Sequence, residues 1–567
     1  MIDPIVATFV ILALAIVAFV TSRIPIGIVA VGVALALWAT GVITLPQALA
    51  GFGDSTVIFI ASLFVVSEAL DATGVTAWAG QQVIGRAGTA RGRLTIVIGL
   101  MVAVLTAFIS INGAVASLLP VVVVVALKAG IAPSRLLIPL AFSASAGSLL
   151  ALTGTPVNVI VSDAAANAGG RAFGYFEFAL AGLPLVALSI AIMVAFGGRL
   201  LPERKADQLA DESPADPQEH AEQWRRSYDV SLDTASFFTP DEGVAEVMIT
   251  PRSMYIGRRV FPGMTTLREN LVIIAIHRTG DRPSAQASAA VAASAPTPDP
   301  ASTEAAPGTP DARPDATPAD AAADTAAHPD GLRPGDSLLV RGPWDALERY
   351  VRLPGIIAVS QPQSLRRAVP LGRGARRALI ILGLMVVLLA SGLVPPVVAG
   401  LLAAGALVLT RVLTVPQMYR SIQWTTVVLI AGLIPLSTAF IETGAAELVA
   451  DRLLDIVGTA SPHLALLALC LLTLVLGQVI SNTATVLVVL PIAISVAAAL
   501  GASVQPFMMA LTVVGAAAFF TPIATPVNLM VMEPGGYRFG DYWRLGAPLA
   551  LAYVIIAVLW VPLIWPF

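Results

Sequence analysis

Apolar runs of membrane-crossing length recur along this chain, and no other feature limits its fold as much. They lie near residues 5–22, 24–40, 56–71, 136–162 and 178–198, with a double run at 94–110 and 113–127. They return near 377–392, 394–410, 424–440, 505–531 and 546–565, with a double run at 463–480 and 483–500. About 20 apolar residues in a helix cross the hydrocarbon of a bilayer. Of the 567 residues 57% are hydrophobic and 12% charged, whereas a water-facing surface needs about a quarter charged. The expected class is therefore an all-α polytopic membrane protein. A soluble enzyme, a fibrous chain and a disulfide scaffold are excluded. Asp3, with no base beside it, precedes the first run, so that run does not read as a cleaved signal peptide.

The two sets are related in sequence. At an offset of 370 residues, 42–74 and 412–444 share 13 of 33 residues, among them Pro46/Pro416, Thr56/Thr426 and Ser67/Ser437. The same offset lays Thr155-Pro156-Val157-Asn158 on Thr525-Pro526-Val527-Asn528, and Asn112 on Asn482. Five crossings per half, an odd number, make the halves enter from opposite sides, as in the inverted repeats of secondary transporters.

Arginine and lysine in the connecting loops divide 18 to 2 if the N-terminus is outside, the minority being Arg171 and Arg452. Basic loops stay in the cytoplasm. Both termini are thus expected outside and residues 200–375 in the cytoplasm, in a bacterial inner membrane. The expected organisation is a first transmembrane repeat (1–200), a linker (201–240), a small α+β domain (241–360) interrupted by a disordered Ala/Pro/Thr/Asp-rich stretch (284–330), a basic linker (361–375) and a second repeat (376–567). The breaks inside the double runs, Ser110-Ile111-Asn112-Gly113 and Ser481-Asn482-Thr483, are short and uncharged. They read as tips of re-entrant hairpins, one in each repeat, ending near the midplane.

Proline suits the first position of a helix, with threonine as the cap before it. Thr155-Pro156 and Thr525-Pro526 therefore read as points where a membrane helix stops and restarts, and Asn112 and Thr483 as caps of the second hairpin arms. Each restart exposes free N–H groups and the positive end of a helix dipole, which attract an anion without a buried base. Interrupted carbonyls and Asn, Ser or Thr oxygens suit a small cation. Glu68 reads as an interfacial residue or a participant in transport. Asp163 and Glu533 read as helix-end residues at opposite faces. The scarcity of buried carboxylates favours Na⁺ over proton coupling. Cys470, the sole cysteine, reads as a packing residue. Nothing in the near-neutral charge, -3, points to nucleic acid.

The Ser-Asn-Thr tip and the two Thr-Pro-x-Asn segments resemble the divalent anion:Na⁺ symporter family (solute carrier family 13-type permeases), across both membrane halves. The resemblance implies an elevator-type homodimer, with Na⁺ as coupling ion and no other cofactor. It also implies Na⁺ sites formed by Ser110, Asn112, Thr155 and Asn158, and by Ser481, Asn482, Thr483, Thr525 and Asn528. Substrate would lie between the tips, near Asn112, Gly113, Asn482, Thr483, Pro156 and Pro526. The first tip departs from the family pattern, with Ile111 or Gly113 in place of a polar residue. In the insert, Met254-Tyr255-Ile256-Gly257-Arg258, Ile274-Ala275-Ile276-His277-Arg278 and Leu332-Arg333-Pro334-Gly335-Asp336 resemble the RCK or TrkA C-terminal domain, which implies a small regulatory ligand.

The expected function is Na⁺-coupled uptake of a small divalent anion, sulfate or a dicarboxylate. The alternatives are an arsenite-type oxyanion exporter of the same superfamily and an RCK-regulated K⁺ channel or uptake subunit. A K⁺ filter needs carbonyl rings from four similar loops, and only two repeats are visible. No nucleophile–base pair, metal cluster or phosphate loop supports an enzyme.

Overall fold

The computed structural model describes residues 3–21, 23–84, 88–204, 217–228, 239, 242–266, 268–278, 331–360, 374–457 and 461–567. The stretch 284–330, Arg86, Lys205, Arg366, Arg367 and Arg373 lie outside them. The chain divides into two compact units, Met1–Pro214 with Gly374–Phe567, and Ala215–Arg373.

The first unit is helical. Its first half comprises α1 (Pro4–Thr21), α2 (Ile26–Ala39), α3 (Leu45–Ala50), α4 (Ser55–Ala72), α5 (Val75–Ile84), α6 (Arg91–Thr106), α7 (Ile111–Lys128), α8 (Leu137–Gly147), α9 (Pro156–Asn167) and α10 (Ala179–Leu200). Every expected apolar run is helical, two of them broken, and both double runs are helix pairs. Among the described residues five stretches are long and apolar enough to cross a membrane: Leu45–Ala72, Ala179–Leu200, Trp424–Glu442, Asn482–Ala499 and Phe539–Ile564. The remaining apolar helices are shorter. The runs 136–162 and 505–531 are each two helices around an irregular segment, as the Thr-Pro pairs require.

The second unit contains α11 (Pro217–Tyr228), a four-stranded sheet and α12 (Trp344–Tyr350). The sheet order is β2-β3-β1-β4, with β1 Glu242–Ile249, β2 Val272–His277, β3 Ser337–Pro343 and β4 Ile356–Ala358. All three pairings are antiparallel. Val244, Val247, Leu338, Val340, Trp344 and Tyr350 are buried in its core. Gly335 turns the chain into β3 at φ +93°, and Asp336 there accepts from the Arg333 amide at 2.8 Å and the Arg278 guanidinium at 2.8 Å.

The first unit continues with α13 (Ala375–Ser391), α14 (Pro396–Leu409), α15 (Val415–Ser421), α16 (Trp424–Glu442), α17 (Ala445–Val457), α18 (Pro462–Gly477), α19 (Asn482–Ala499), α20 (Val504–Gly515), α21 (Pro526–Met532) and α22 (Tyr542–Ile555). α2 packs along α16, and α14 packs along α4. At the 370-residue offset these are the same pair twice. A Cβ on Gly432 of α16 would meet the Ala30 backbone of α2, and one on Gly400 of α14 would strike Ser62 and Phe59 of α4. Small residues let helix backbones approach where lipid supplies no hydrophobic drive.

In the first unit four helices were not expected; in the second, α11 lies within the stretch expected to be a linker and packs Trp224 and Tyr228 into the core. α3 and α15 begin in capping boxes, in which Thr44 and Thr414 amides donate to Gln47 and Gln417 at 2.8 and 2.9 Å. That Thr-x-x-Gln signal is legible in sequence. α5 and α17 are hidden by their polarity. α17 buries Ala446 and Ala450 in one stripe while Glu447, Asp451 and Arg452 face away.

Candidate functional site

The hairpin tips are built by serine. Ser110 Oγ accepts from the Gly113 amide at 3.2 Å, and Ser481 Oγ accepts from the Ala484 amide at 3.4 Å. These hydroxyls, and not Asn112 or Thr483, cap the second hairpin arms. A hydroxyl one position before the helix reaches the amide three residues on, whereas Asn112 and Thr483 already sit in the first turn. The matched caps, with Pro120 and Pro491 inside the two following helices, set a local register of 371. Within it Ile111 stands opposite Asn482, Asn112 opposite Thr483, and Gly113 opposite Ala484. The polar residue missing from the first tip is therefore the one that Ile111 replaces.

The broken helices restart as the Thr-Pro pairs dictate. Thr155 and Thr525 are extended, at φ/ψ of -151°/148° and -140°/148°, with Pro156 and Pro526 first in their helices. Thr525 Oγ1 accepts from the Asn528 amide at 3.3 Å. The two asparagines do the same task. Asn158 Nδ2 donates to the carbonyls of Ser148 at 2.9 Å and Ala151 at 2.8 Å. Asn528 Nδ2 donates to those of Ala518 at 2.9 Å and Thr521 at 3.0 Å. Each side chain satisfies two carbonyls that the break released from helical bonding. That holds the open segment in shape.

These elements surround a cavity of about 480 Å³. Of the expected site residues, Ser110, Asn112, Thr155, Pro156, Ser481, Asn482, Thr483, Thr525 and Pro526 line it. Gly113, Asn158 and Asn528 do not. Gly113 faces Asp71, and the two asparagines are buried behind the broken segments. Every lining residue among those described is uncharged, and Ser145, Ser148, Thr153 and Thr512 add hydroxyls. Asn482 Oδ1 and Asn158 Oδ1 are buried acceptors without a hydrogen-bond partner among the described residues. A low-dielectric wall of neutral oxygens accommodates a small hard cation. The N-terminal ends of α7, α9 and α19 present N–H groups and positive potential for an anion. Only seven residues form α21, so its dipole is short.

Three features escaped the sequence reading. Gln423, Thr425 and Thr426, at the start of α16, also line the cavity. Gln478 binds the second broken segment to its hairpin, donating to the Ala517 carbonyl at 3.1 Å and accepting from the Phe520 amide at 2.9 Å. Ser67 and Asp71 of α4 reach the first tip: Ser67 Oγ accepts from the Ser110 amide at 3.0 Å, and Asp71 Oδ1 accepts from Ser117 at 3.1 Å. The Thr426 pairing with Thr56 was visible in the repeat, but its direction into a cavity was not. Glu68, one turn from Asp71, is half-buried, and Asp163 accepts from Asn167 at 3.0 Å.

A sequence profile of the citrate transporter family (CitMHS) matches residues 16–514 and 441–567. Over 98% of both chains, the protein is 28% identical to the transporter YfbS of Escherichia coli K12. It is 27% identical to a Synechocystis transporter over 98% of this chain and 97% of that one. Sodium/sulfate cotransporter 1 of Chlamydomonas reinhardtii is 28% identical over 34% of this chain and 23% of its own. With long apolar helices, two paired breaks and a profile that spans nearly the whole length, this chain belongs to the citrate transporter family of membrane transporters.

Proposed function

We propose that the protein is a secondary transporter that couples Na⁺ to the movement of a small multivalent oxyanion, a carboxylate or sulfate. One observation carries the reading. Two hairpin tips and two broken helices from different halves of the sequence converge on one cavity that, among the described residues, has no charged lining residue. Ser110, Asn112, Thr155, Ser481, Asn482, Thr483 and Thr525 offer oxygens to Na⁺, while the amide ends of the tips attract the anion. Neutral oxygens bind Na⁺ better once the anion's charge is present, so the two ligands favour each other's binding. That mutual dependence is what couples the gradients.

Under this reading the halves form an inverted repeat, and the tips move together across the membrane relative to the α2–α16 and α4–α14 pairs. The termini are outside and 200–375 is cytoplasmic. A homodimer and a regulatory ligand at the second unit rest on the resemblances alone. Similarity to a sodium/sulfate cotransporter supports Na⁺ and an anion. The citrate description of the family supports a carboxylate.

The test is uptake of labelled citrate, succinate and sulfate into proteoliposomes, with and without an inward Na⁺ gradient. One of the three is expected to accumulate only with the gradient, and Asn482→Ala to abolish it. Equal uptake in both conditions, or full uptake by the variant, would remove the proposal.

A further inference from the structure

The two hairpin tips are unequal, and the inequality is compensated from another helix. Ile111 removes from the first tip the amide that Asn482 gives the second. Gly113 also lacks the methyl group that Ala484 carries at the matching position. A Cβ on Gly113 would lie 2.6 Å from Asp71 Oδ2. The Asp71 carboxylate therefore occupies the space that a side chain on the first turn of α7 would take. It is held there. Thr76 Oγ1 donates to Asp71 Oδ1 at 2.6 Å and Ser117 Oγ at 3.1 Å. One turn earlier on α4, Ser67 takes the amide of Ser110. At the 370-residue offset the place of Asp71 falls to Ile441, so the second tip has no such carboxylate from the matching helix.

A carboxylate beside the first turn opposes the positive potential of a helix N-terminus. The α7 end, left alone, would favour an anion as the α19 end does. We infer that Asp71 is a positioning residue that turns the first hairpin tip into the cation end of the cavity and leaves anion recognition to the second tip. The inference rests on the transport reading above and divides its site by charge. It also accounts for Ile111, since a tip that does not grip the anion does not need the amide of Asn482.

The test uses the full-length protein in detergent and in proteoliposomes. Na⁺ is titrated against the thermal unfolding midpoint, since a ligand of the folded state raises it. Asp71→Asn is expected to raise the Na⁺ concentration for half-maximal stabilisation about tenfold. The anion KM at saturating Na⁺ should change by less than about twofold. Asp71→Glu should retain most of the Na⁺ response. Should Asp71→Asn not fold, the double variant Asp71→Ile with Gly113→Ala, which imports the residues of the second half, is read in its place and is expected to show the same loss. Half-saturation at the wild-type Na⁺ concentration overturns the inference, as does an anion KM that rises as much as the Na⁺ value. A wild type indifferent to Na⁺ in both assays sinks the Na⁺-coupled reading itself, a different outcome from a wild type that responds and an Asp71→Asn variant that matches it.

Discussion

Asn158 and Asn528, expected beside Na⁺, use their amide nitrogens as clamps on broken backbone. The distinction has measurable consequences. Asn158→Ala frees the Ser148 and Ala151 carbonyls in a dry interior, and each buried group left unpaired costs about 1–3 kcal/mol. A lowered unfolding midpoint is expected before any effect on Na⁺ affinity is considered. Asn158→Asp should be worse, because a carboxylate cannot donate to the two carbonyls that the amide serves. A midpoint for Asn158→Asp equal to that of the wild type would show that the clamp is dispensable. Asn482 differs in kind. Its Oδ1 is a buried acceptor on the cavity wall, so Asn482→Ala should impair transport with little loss of stability. Both asparagine pairs were legible as unusual residues in apolar runs. Which pair clamps and which faces the cavity was not, because the same side chain can serve either role until the carbonyls around it are placed.

At the scale of elements, the broken segments are gripped from outside by glycine. A Cβ on Gly182 of α10 would collide with the Leu149 carbonyl, and one on Gly546 of α22 with that of Phe519. Leu149 and Phe519 are equivalent at the 370-residue offset. Because the obstacle is backbone, neither neighbour can yield cheaply. Gly182→Ala and Gly546→Ala are each expected to cost about 1–3 kcal/mol, read as a lower unfolding midpoint together with slower uptake. Wild-type values for both would refute the close contact. The turn before α10 offers a pH test. Burial pushes the Glu177 carboxyl up, but bonds from the Arg171 guanidinium at 2.5 Å, the Gly174 amide at 2.8 Å and the Trp565 indole at 2.6 Å more than offset it and leave it below its ordinary value. A depressed carboxyl contributes stability above its unfolded pKa and loses it as pH falls through the folded one. Glu177→Gln should therefore destabilise the protein at neutral pH and flatten its loss of stability in acid below about pH 4.3. Parallel acid-unfolding curves for the two proteins would contradict this. The helix pairs of the double runs, the restarts and the α3 and α15 caps could be read from sequence, since proline, serine and Thr-x-x-Gln act over three or four residues. α5 and α17 could not: α5 is only ten residues long and broken up by Thr, Gly and two Gln, and α17 is amphipathic and carries too much charge to resemble a span.

For the whole molecule, the arginine and lysine bias predicts sidedness. Fusions of alkaline phosphatase at residue 170 and of a fluorescent protein at residue 203 should both be active, each on its own side of the membrane. The reverse pattern would invert the topology. In the second unit, β2 and β3 pair directly, His277 facing Ser337, so the chain between them leaves and returns at one place. Replacing 284–330 by a short Gly/Ser link should leave folding intact, because loop closure depends only weakly on length. Loss of the second unit's fold would show that the stretch is structural.

The sequence by itself determined the class of solvent, the number of apolar helices and the points where they break. Those follow from transfer energies and from what proline does to its own backbone, and neither needs a neighbour. Tertiary structure decided the rest. It gathered breaks hundreds of residues apart around one cavity. It brought Asp71 to Gly113. Such choices depend on which side chain fills the space beside another, and that space does not exist until the helices have packed.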